Sequence, residues 1–227
     1  MKYSVVIPAA GSGTRMKANQ NKLFLDLMGK PLIAHTLKLF EEDAWCSKII
    51  LAGKPDEFQI FNEIIKKEGF CKIEALVAGG SDRQESVKKG LDSLKGDEIV
   101  LIHDGARPLV DIKLVHQLVM ETEKTGAAIL AVPLKDTIKK AYNKKIVETI
   151  DREALWAAQT PQGFKLSTIK AAHEKAVLSG VKGTDDASLL EALGQAVTIV
   201  HGDYRNIKVT TPEDLVVAEH FITGRET

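Results

Sequence analysis

Apolar residues along this chain follow two alternating patterns. Short, nearly unbroken apolar runs rich in Val and Ile occur at Tyr3–Ile7, Lys48–Ala52, Lys72–Val77, Glu98–Ile102, Ala127–Pro133 and Thr198–Val200. Runs with so little polar interruption predict strands covered on both faces. Between them lie longer stretches with helical spacing, at Pro31–Glu42, Pro55–Glu68, Ser81–Leu94, Asp111–Thr125 and Leu166–Ser179. A last helix is expected from about Pro212 to Ile222. Thr211 suits its N-cap, Pro212 its first position, and Glu213 and Asp214 its positive end. Strands alternating with helices predict βαβ units, hence an α/β fold with a mostly parallel twisted sheet flanked by helices. Ligands of such sheets bind beyond the carboxyl ends of the strands. The residues that follow each strand are therefore the first place to look for chemistry.

The stretch DTIKKAYNKKIVETID, Asp136–Asp151, breaks the pattern. It reads as two β-prone halves around a turn near Asn143-Lys144. A lone two-stranded hairpin is marginal in water, so this arm, about residues 134–153, is expected to pack on another surface, a second subunit first. No repeat, low-complexity tract or linker interrupts the 227 residues, and one domain with a hairpin arm is expected. Lys+Arg and Asp+Glu each number 31, and a net charge of zero argues against a nucleic-acid binder. No apolar run is long enough to span a membrane, and the first strand is too short for a signal peptide, so a cytoplasmic protein is expected. Cys46 and Cys71 form no metal-binding pattern and read as two buried thiols.

Three turns after strands carry candidate chemistry. Pro8-Ala9-Ala10-Gly11-Ser12-Gly13-Thr14-Arg15-Met16 follows the first strand. Small residues let backbone N–H groups approach an anion, which suits phosphate. The loop is neither a dinucleotide fingerprint, which would place a small residue at Met16 and an acid after the second strand, nor a Walker A loop. Arg15 and, seven residues on, Lys22 add two cations, as a triphosphate with a departing pyrophosphate requires. His103-Asp104-Gly105-Ala106-Arg107-Pro108 follows Glu98–Ile102. Asp104 there is placed to hold Mg²⁺, and Arg107 to pair with it or to face a substrate anion. Gly79-Gly80-Ser81-Asp82-Arg83-Gln84-Glu85-Ser86 opens a helix. Its Ser and Arg can read a base edge, or Ser81 can cap the helix with Gln84 as capping-box partner. Lys208, on a short strand near the end of the chain, is a fourth candidate; Thr137, Arg152, Thr160 and Thr184 are weaker ones. The six histidines are scattered, and no G-x-S-x-G elbow occurs, so hydrolase and zinc chemistry find no support.

Taken in order, PAAGSGTRM, Lys22, the Gly29–Ile33 helix start, GGSDRQES, HDGARP, the hairpin, TPQGF, TDDAS and NIKVTTPEDL resemble the 2-C-methyl-D-erythritol 4-phosphate cytidylyltransferase family over essentially the whole chain. The resemblance implies a Rossmann-like, glycosyltransferase-A-like nucleotidyltransferase that joins the CMP part of CTP to a polyol phosphate. It assigns catalysis to Arg15, Lys22 and Lys208. It assigns CTP binding to Pro8, Ala9, Ala10, Gly11, Gly13, Gly80, Ser81, Arg83, Ser86 and Asp104, with Asp104 also beside Mg²⁺. Arg107, Thr137, Arg152, Thr160 and Thr184 fall to the polyol phosphate, with Thr137 and Arg152 reaching over from the hairpin of a homodimer partner. A pentitol phosphate cytidylyltransferase, acting on ribitol 5-phosphate, is the alternative within the same fold. A nicotinamide dehydrogenase and a catalytically silent nucleotide-binding regulator are alternatives of other classes.

Overall fold

The computed structural model describes residues 1–11 and 21–224. In chain order the elements begin with β1 (Tyr3–Pro8), the short β2 (Asp26–Leu27) and β3 (Lys30–Pro31), then α1 (Leu32–Glu42). They continue with β4 (Cys46–Gly53), α2 (Phe58–Glu68), β5 (Ile73–Ala78), α3 (Arg83–Ser93) and β6 (Ile99–Ile102). Next come α4 (Ile112–Thr125), β7 (Ala127–Pro133), β8 (Ile138–Tyr142), β9 (Lys145–Ile150) and β10 (Trp156–Lys165). The chain closes with α5 (Leu166–Ser179), α6 (Ala187–Glu191), β11 (Thr198–His201) and α7 (Pro212–Thr223).

Seven strands form one sheet in the order β11-β7-β10-β6-β1-β4-β5. Four of its pairings are parallel, and β10 runs antiparallel to both β6 and β7. The α/β, mostly parallel sheet expected from the hydrophobic pattern is therefore present. The strand β10 was not expected. Its sequence WAAQTPQGFK is small and polar, with a proline inside, and its place comes from neighbours on both sides.

Register explains the unbroken apolar runs. Val5 lies opposite Ile49 of β4 and Leu101 of β6, while Val6 lies opposite Ile50 and Ile102. Successive side chains of a strand point to opposite faces. The first trio joins a core with Leu32, Leu37 and Phe40 of α1 and Val115, Leu118 and Val119 of α4. The second joins a separate core with Val87 and Leu91 of α3 and Leu166, Ile169 and Ala172 of α5. Each such side chain fully buried stabilises the fold by about 1.5–3 kcal/mol, so both faces require apolar residues.

The hairpin β8–β9 forms its own two-stranded sheet and turns at Asn143 and Lys144, both with positive φ. Such φ values at both central residues are those of a tight hairpin turn, and the sequence expectation for this turn is met. Tyr142, Ile146 and Val147 on the arm remain 73%, 66% and 65% exposed. Cys46 is buried as expected, but Cys71 is exposed, because it follows the end of α2 rather than entering the sheet. No helix among the described residues is long and apolar enough to cross a membrane.

α3 reaches the sheet through a glycine. A Cβ at Gly90 would lie 2.5 Å from Val6 Cγ1, a branched side chain on a central strand. Gly90→Ala is expected to lower the unfolding free energy by about 1–3 kcal/mol through overpacking, read from urea denaturation.

Candidate active site

The carboxyl ends of β1, β5 and β6 open onto one cleft of about 530 Å³. Its walls include Pro8, Ala9, Ala10 and Gly11 after β1, Gly80 to Arg83 after β5, and Asp104 to Ala106 after β6. The first two turns pack closely. Ala9 donates its N–H to Ala52 O at 2.7 Å, and Gly79 donates to Gly53 O at 2.8 Å. A Cβ on Gly79 would meet Ala10 Cβ at 2.6 Å and Ser86 Oγ at 3.1 Å, so glycine is required for this approach. Ser86 Oγ accepts from Gly80 N–H at 2.9 Å and donates to Asp82 O, which shapes the turn. The α3 cap differs from expectation. Asp82, not Ser81, is the N-cap and accepts from Glu85 N–H, while Glu85 reaches back to the Ser81 N–H and hydroxyl. An acid in the first turn forms charge-assisted bonds there, which Gln84 cannot.

Lys22 lines the cleft and donates from Nζ to Val209 O at 2.8 Å. Asn21 fixes its position. The Asn21 amide donates to Ala9 O at 3.0 Å and to Glu57 Oε2 at 2.9 Å, and its oxygen accepts from Leu23 N–H. The short turn that carries Lys22 is thereby tied to the end of β1. Gly13 and Arg15 lie outside the described residues.

Asp104 is the electrostatic centre. Its Oδ1 lies 3.1 Å from Arg83 Nε, and its Oδ2 lies 2.8 Å from Lys208 Nζ and 3.8 Å from Arg107 Nε. Burial pushes the carboxyl pKa up, but Arg83, Lys208 and Arg107 together hold it well below the usual carboxylate range. It stays ionised in a largely buried position. Lys208 sits in an extended segment rather than the expected strand, bridged by Val209 N–H to Ala106 O at 2.8 Å.

Below Asp104 runs a chain of hydrogen bonds with one consistent polarity. The Asp104 N–H donates to Thr160 Oγ1 at 3.0 Å, and Thr160 lies 3.3 Å from His103 Nδ1. His103 Nε2 meets the Arg107 carbonyl at 3.0 Å. A neutral ring with its proton on Nε2 satisfies every group, and the network assigns that tautomer. Thr160 therefore lies buried beneath the cleft, holding the Asp104 backbone, and does not line it. Arg107 likewise stands behind the wall, donating from Nη1 to Asn206 O at 2.6 Å.

The structure thus brings Pro8, Ala9, Ala10, Gly11, Lys22, Gly80, Ser81, Arg83, Ser86, Asp104 and Lys208 to one cleft. Thr137, Arg152 and Thr184 are exposed and do not line it. Arg152 bonds the Lys135 carbonyl at the root of the hairpin. Sequence reasoning passed over Lys54, Asp82 and Thr210, which line the cleft, and Asp186, which lies behind Arg83. Lys54 was visible as the residue after β4; Asp186 lies too far along the chain to suggest a pairing. Among the described residues no group of three His, Cys, Asp or Glu side chains is placed to hold a metal. The one deeply set carboxylate of the cleft, Asp104, is the residue that could hold a Mg²⁺ ion there.

A glycine-turn cleft at the carboxyl edge of a mostly parallel sheet, with Lys22 on its wall and Arg83, Arg107 and Lys208 around one ionised aspartate, suits a nucleotidyltransferase. Comparison with known proteins narrows the class. The family model for 2-C-methyl-D-erythritol 4-phosphate cytidylyltransferase matches residues 3–224, and this chain belongs to that family. Among curated relatives, the enzyme of that name from Halalkalibacterium halodurans is 52% identical over 226 residues, covering 100% of this chain and 99% of the relative. That of Geobacillus kaustophilus is 52% identical over 225 residues, covering 99% of each. Among solved structures, the 4-diphosphocytidyl-2C-methyl-D-erythritol synthase of Anaerococcus prevotii superposes with a TM-score of 0.85 at 32% identity, covering 98% of both chains. The Thermus thermophilus cytidylyltransferase gives 0.79 at 32% identity, covering 98% of this chain and 100% of its own.

Burial pulls the His103 pKa down to about 4. The unfolded residue takes up a proton near 6.5, so between those values the unfolded state binds more protons and stability falls as pH falls. Going from pH 7 to pH 5, His103 is expected to remove about 2 kcal/mol of stability. Urea unfolding at the two pH values checks this: His103→Gln, which does not titrate, should lose about 2 kcal/mol less over that interval than the parent chain. Equal losses in the two proteins contradict the assignment.

Proposed function

We propose that this chain transfers the CMP moiety of CTP to 2-C-methyl-D-erythritol 4-phosphate, giving 4-diphosphocytidyl-2-C-methyl-D-erythritol and pyrophosphate in non-mevalonate isoprenoid biosynthesis. The observation that carries the reading is the convergence of Lys22, Lys208 and the Arg83–Asp104 pair on the phosphate-binding turn after β1. Family membership over residues 3–224 selects the substrate pair, and the ribitol 5-phosphate alternative is not favoured.

The reaction is an in-line displacement. A phosphate oxygen of the polyol phosphate attacks the α-phosphorus of CTP, the new P–O bond forms, and the bond to the β-phosphate breaks, its electron pair leaving with pyrophosphate. A phosphate monoester is largely dianionic at neutral pH, so no protein base is needed. Catalysis is positioning plus charge stabilisation. In this reading Lys22, tethered through Asn21 to β1, meets the charge growing on the leaving pyrophosphate together with Arg15. Lys208, held by Asp104, faces the α-phosphate. The Gly80–Arg83 turn and Ser86 receive the cytidine. Asp104 would hold Mg²⁺, which supplies charge neutralisation across the phosphates when bound.

The exposed Tyr142, Ile146 and Val147 of the hairpin support a homodimer in which Thr137 and Arg152 of one protomer complete the polyol phosphate site of the other. Arg107, Thr160 and Thr184 belong to that site in the same reading, Arg107 and Thr160 by shaping the loop that carries Asp104. A cytoplasmic location goes with this reading.

Pyrophosphate release with CTP and Mg²⁺ tests the reaction, with methylerythritol phosphate and ribitol 5-phosphate offered in parallel. Release with the first is expected; release with ribitol 5-phosphate alone, or with neither, overturns the assignment. Lys22→Ala should lower kcat by about 10²–10³, as loss of one preorganised donor does, and a loss under about threefold would sink its role.

A further inference from the structure

Behind the cleft wall lies a second set of charges that the reaction scheme does not use. Arg83 divides its guanidinium between two carboxylates. Nε bonds Asp104 in the cleft, and Nη1 lies 2.7 Å from Oδ2 of Asp186, an ion pair off the line of a hydrogen bond. Asp186 is 1% exposed and does not line the cleft. Its other oxygen lies 3.2 Å from Nε2 of His173, a fully buried residue of α5. His173 Nδ1 is buried without a polar partner among the described residues, which assigns the ring proton to Nε2 as a donor to Asp186.

Asp186 is itself anchored. Its N–H and that of Ala187 donate to Gln162 Oε1 at 3.1 and 3.2 Å, and the Gln162 amide donates to Asp185 Oδ2 at 2.7 Å. From the other side Gln84 accepts from Gly183 N–H and donates to Val181 O. The segment 181–187 is thus fastened to both α3 and β10. Placing a carboxylate out of water costs several kcal/mol unless it is paired and hydrogen-bonded. Burial pushes the Asp186 carboxyl up, yet Arg83 and His173 hold it below its ordinary value. A long arginine side chain loses rotamer entropy when it is fixed, a cost that falls on ligand binding when the side chain starts free. Anchoring Arg83 in advance removes that cost.

We infer that Asp186, supported by His173, is a positioning residue for nucleotide binding: it holds Arg83 at the wall of the cleft, ready for CTP. The inference rests on reading the cleft as the CTP site. Asp186 acts through Arg83 and touches no substrate, so its effect is specific to CTP and vanishes when Arg83 is gone.

A double-mutant cycle on CTP affinity, measured by calorimetry on the full chain, tests it. Asp186→Asn is expected to weaken CTP binding about tenfold, while kcat and the KM for the polyol phosphate stay within about threefold. In an Arg83→Ala background, Asp186→Asn should change the CTP Kd less than twofold. An equal loss in both backgrounds, or no loss in the parent chain, overturns the inference. A parent chain that binds no CTP refutes the proposed function instead. Should Asp186→Asn fail to fold, His173 decides: His173→Gln, which keeps a donor, should bind CTP within about threefold of the parent, and His173→Leu should bind it about tenfold more weakly. Equal affinities in those two variants overturn the inference as well.

Discussion

An ionised carboxylate in a largely buried position must be surrounded by partners, and the active end of this molecule is built on that requirement at Asp104. Leaving such a charge unpaired costs several kcal/mol. Three cations answer it, and they come from widely separated parts of the chain: Arg83 at the start of α3, Arg107 in the loop after β6, and Lys208 near the C-terminus. Satisfying one side chain therefore draws together the loops after β5 and β6 and the C-terminal extended segment. In the proposed reaction the same cations face the polyphosphate. In that reading stability and function share this one cluster.

The sheet makes that gathering possible. Because β1, β4 and β6 pair in register, Val5, Ile49 and Leu101 face one layer of helices and Val6, Ile50 and Ile102 the other. Val5, Val6, Ile49, Ile50, Leu101 and Ile102 are buried, so polar chemistry is displaced from the middle of these strands to their ends. Glycines at Gly79 and Gly90 then set how closely the turn after β5 and the helix α3 approach the end and body of β1. Beneath the cleft, Thr160 and His103 turn the loop after β6 so that the Asp104 carboxylate faces the ligand side. These groups touch no ligand in the proposed chemistry, yet the position of Asp104 depends on them.

The arm β8–β9 follows a different logic. Its strands bury little of their own surface, and Tyr142, Ile146 and Val147 stand in the open. Thr137 and Arg152 lie on it and at its base, away from the cleft of their own chain. The dimer proposed above accounts for both features with one contact. The arm's root is fastened to the protein by Lys135, which lies 3.4 Å from the centroid of the Tyr204 ring, and by Tyr204, whose hydroxyl donates to Pro133 O.

The strands, helices, turn residues of the arm and the loops of the cleft were legible in the sequence, because hydrophobic period, capping residues and glycine placement are local properties. Asp104 was legible for the same reason, as a charge just beyond a strand, and Lys22 as a cation seven residues after Arg15. The strand β10 was not, since its small and polar residues acquire extended form only from β6 and β7 on either side. Nor was the division of labour among Thr160, Arg107 and Asp186. Each was visible as a polar residue, but what it meets depends on distant partners, Asp104 for Thr160 at 56 positions and Asn206 for Arg107 at 99. Asp82 displaced Ser81 as the cap of α3 because an acid can engage the helix start with a charge-assisted bond, a competition decided only once the turn is formed. Sequence alone determined most of the sheet strands and the long helices; the tertiary structure decided the place of β10 and which charge meets which. Pairing is set by distance in space, and sequence separation does not specify it.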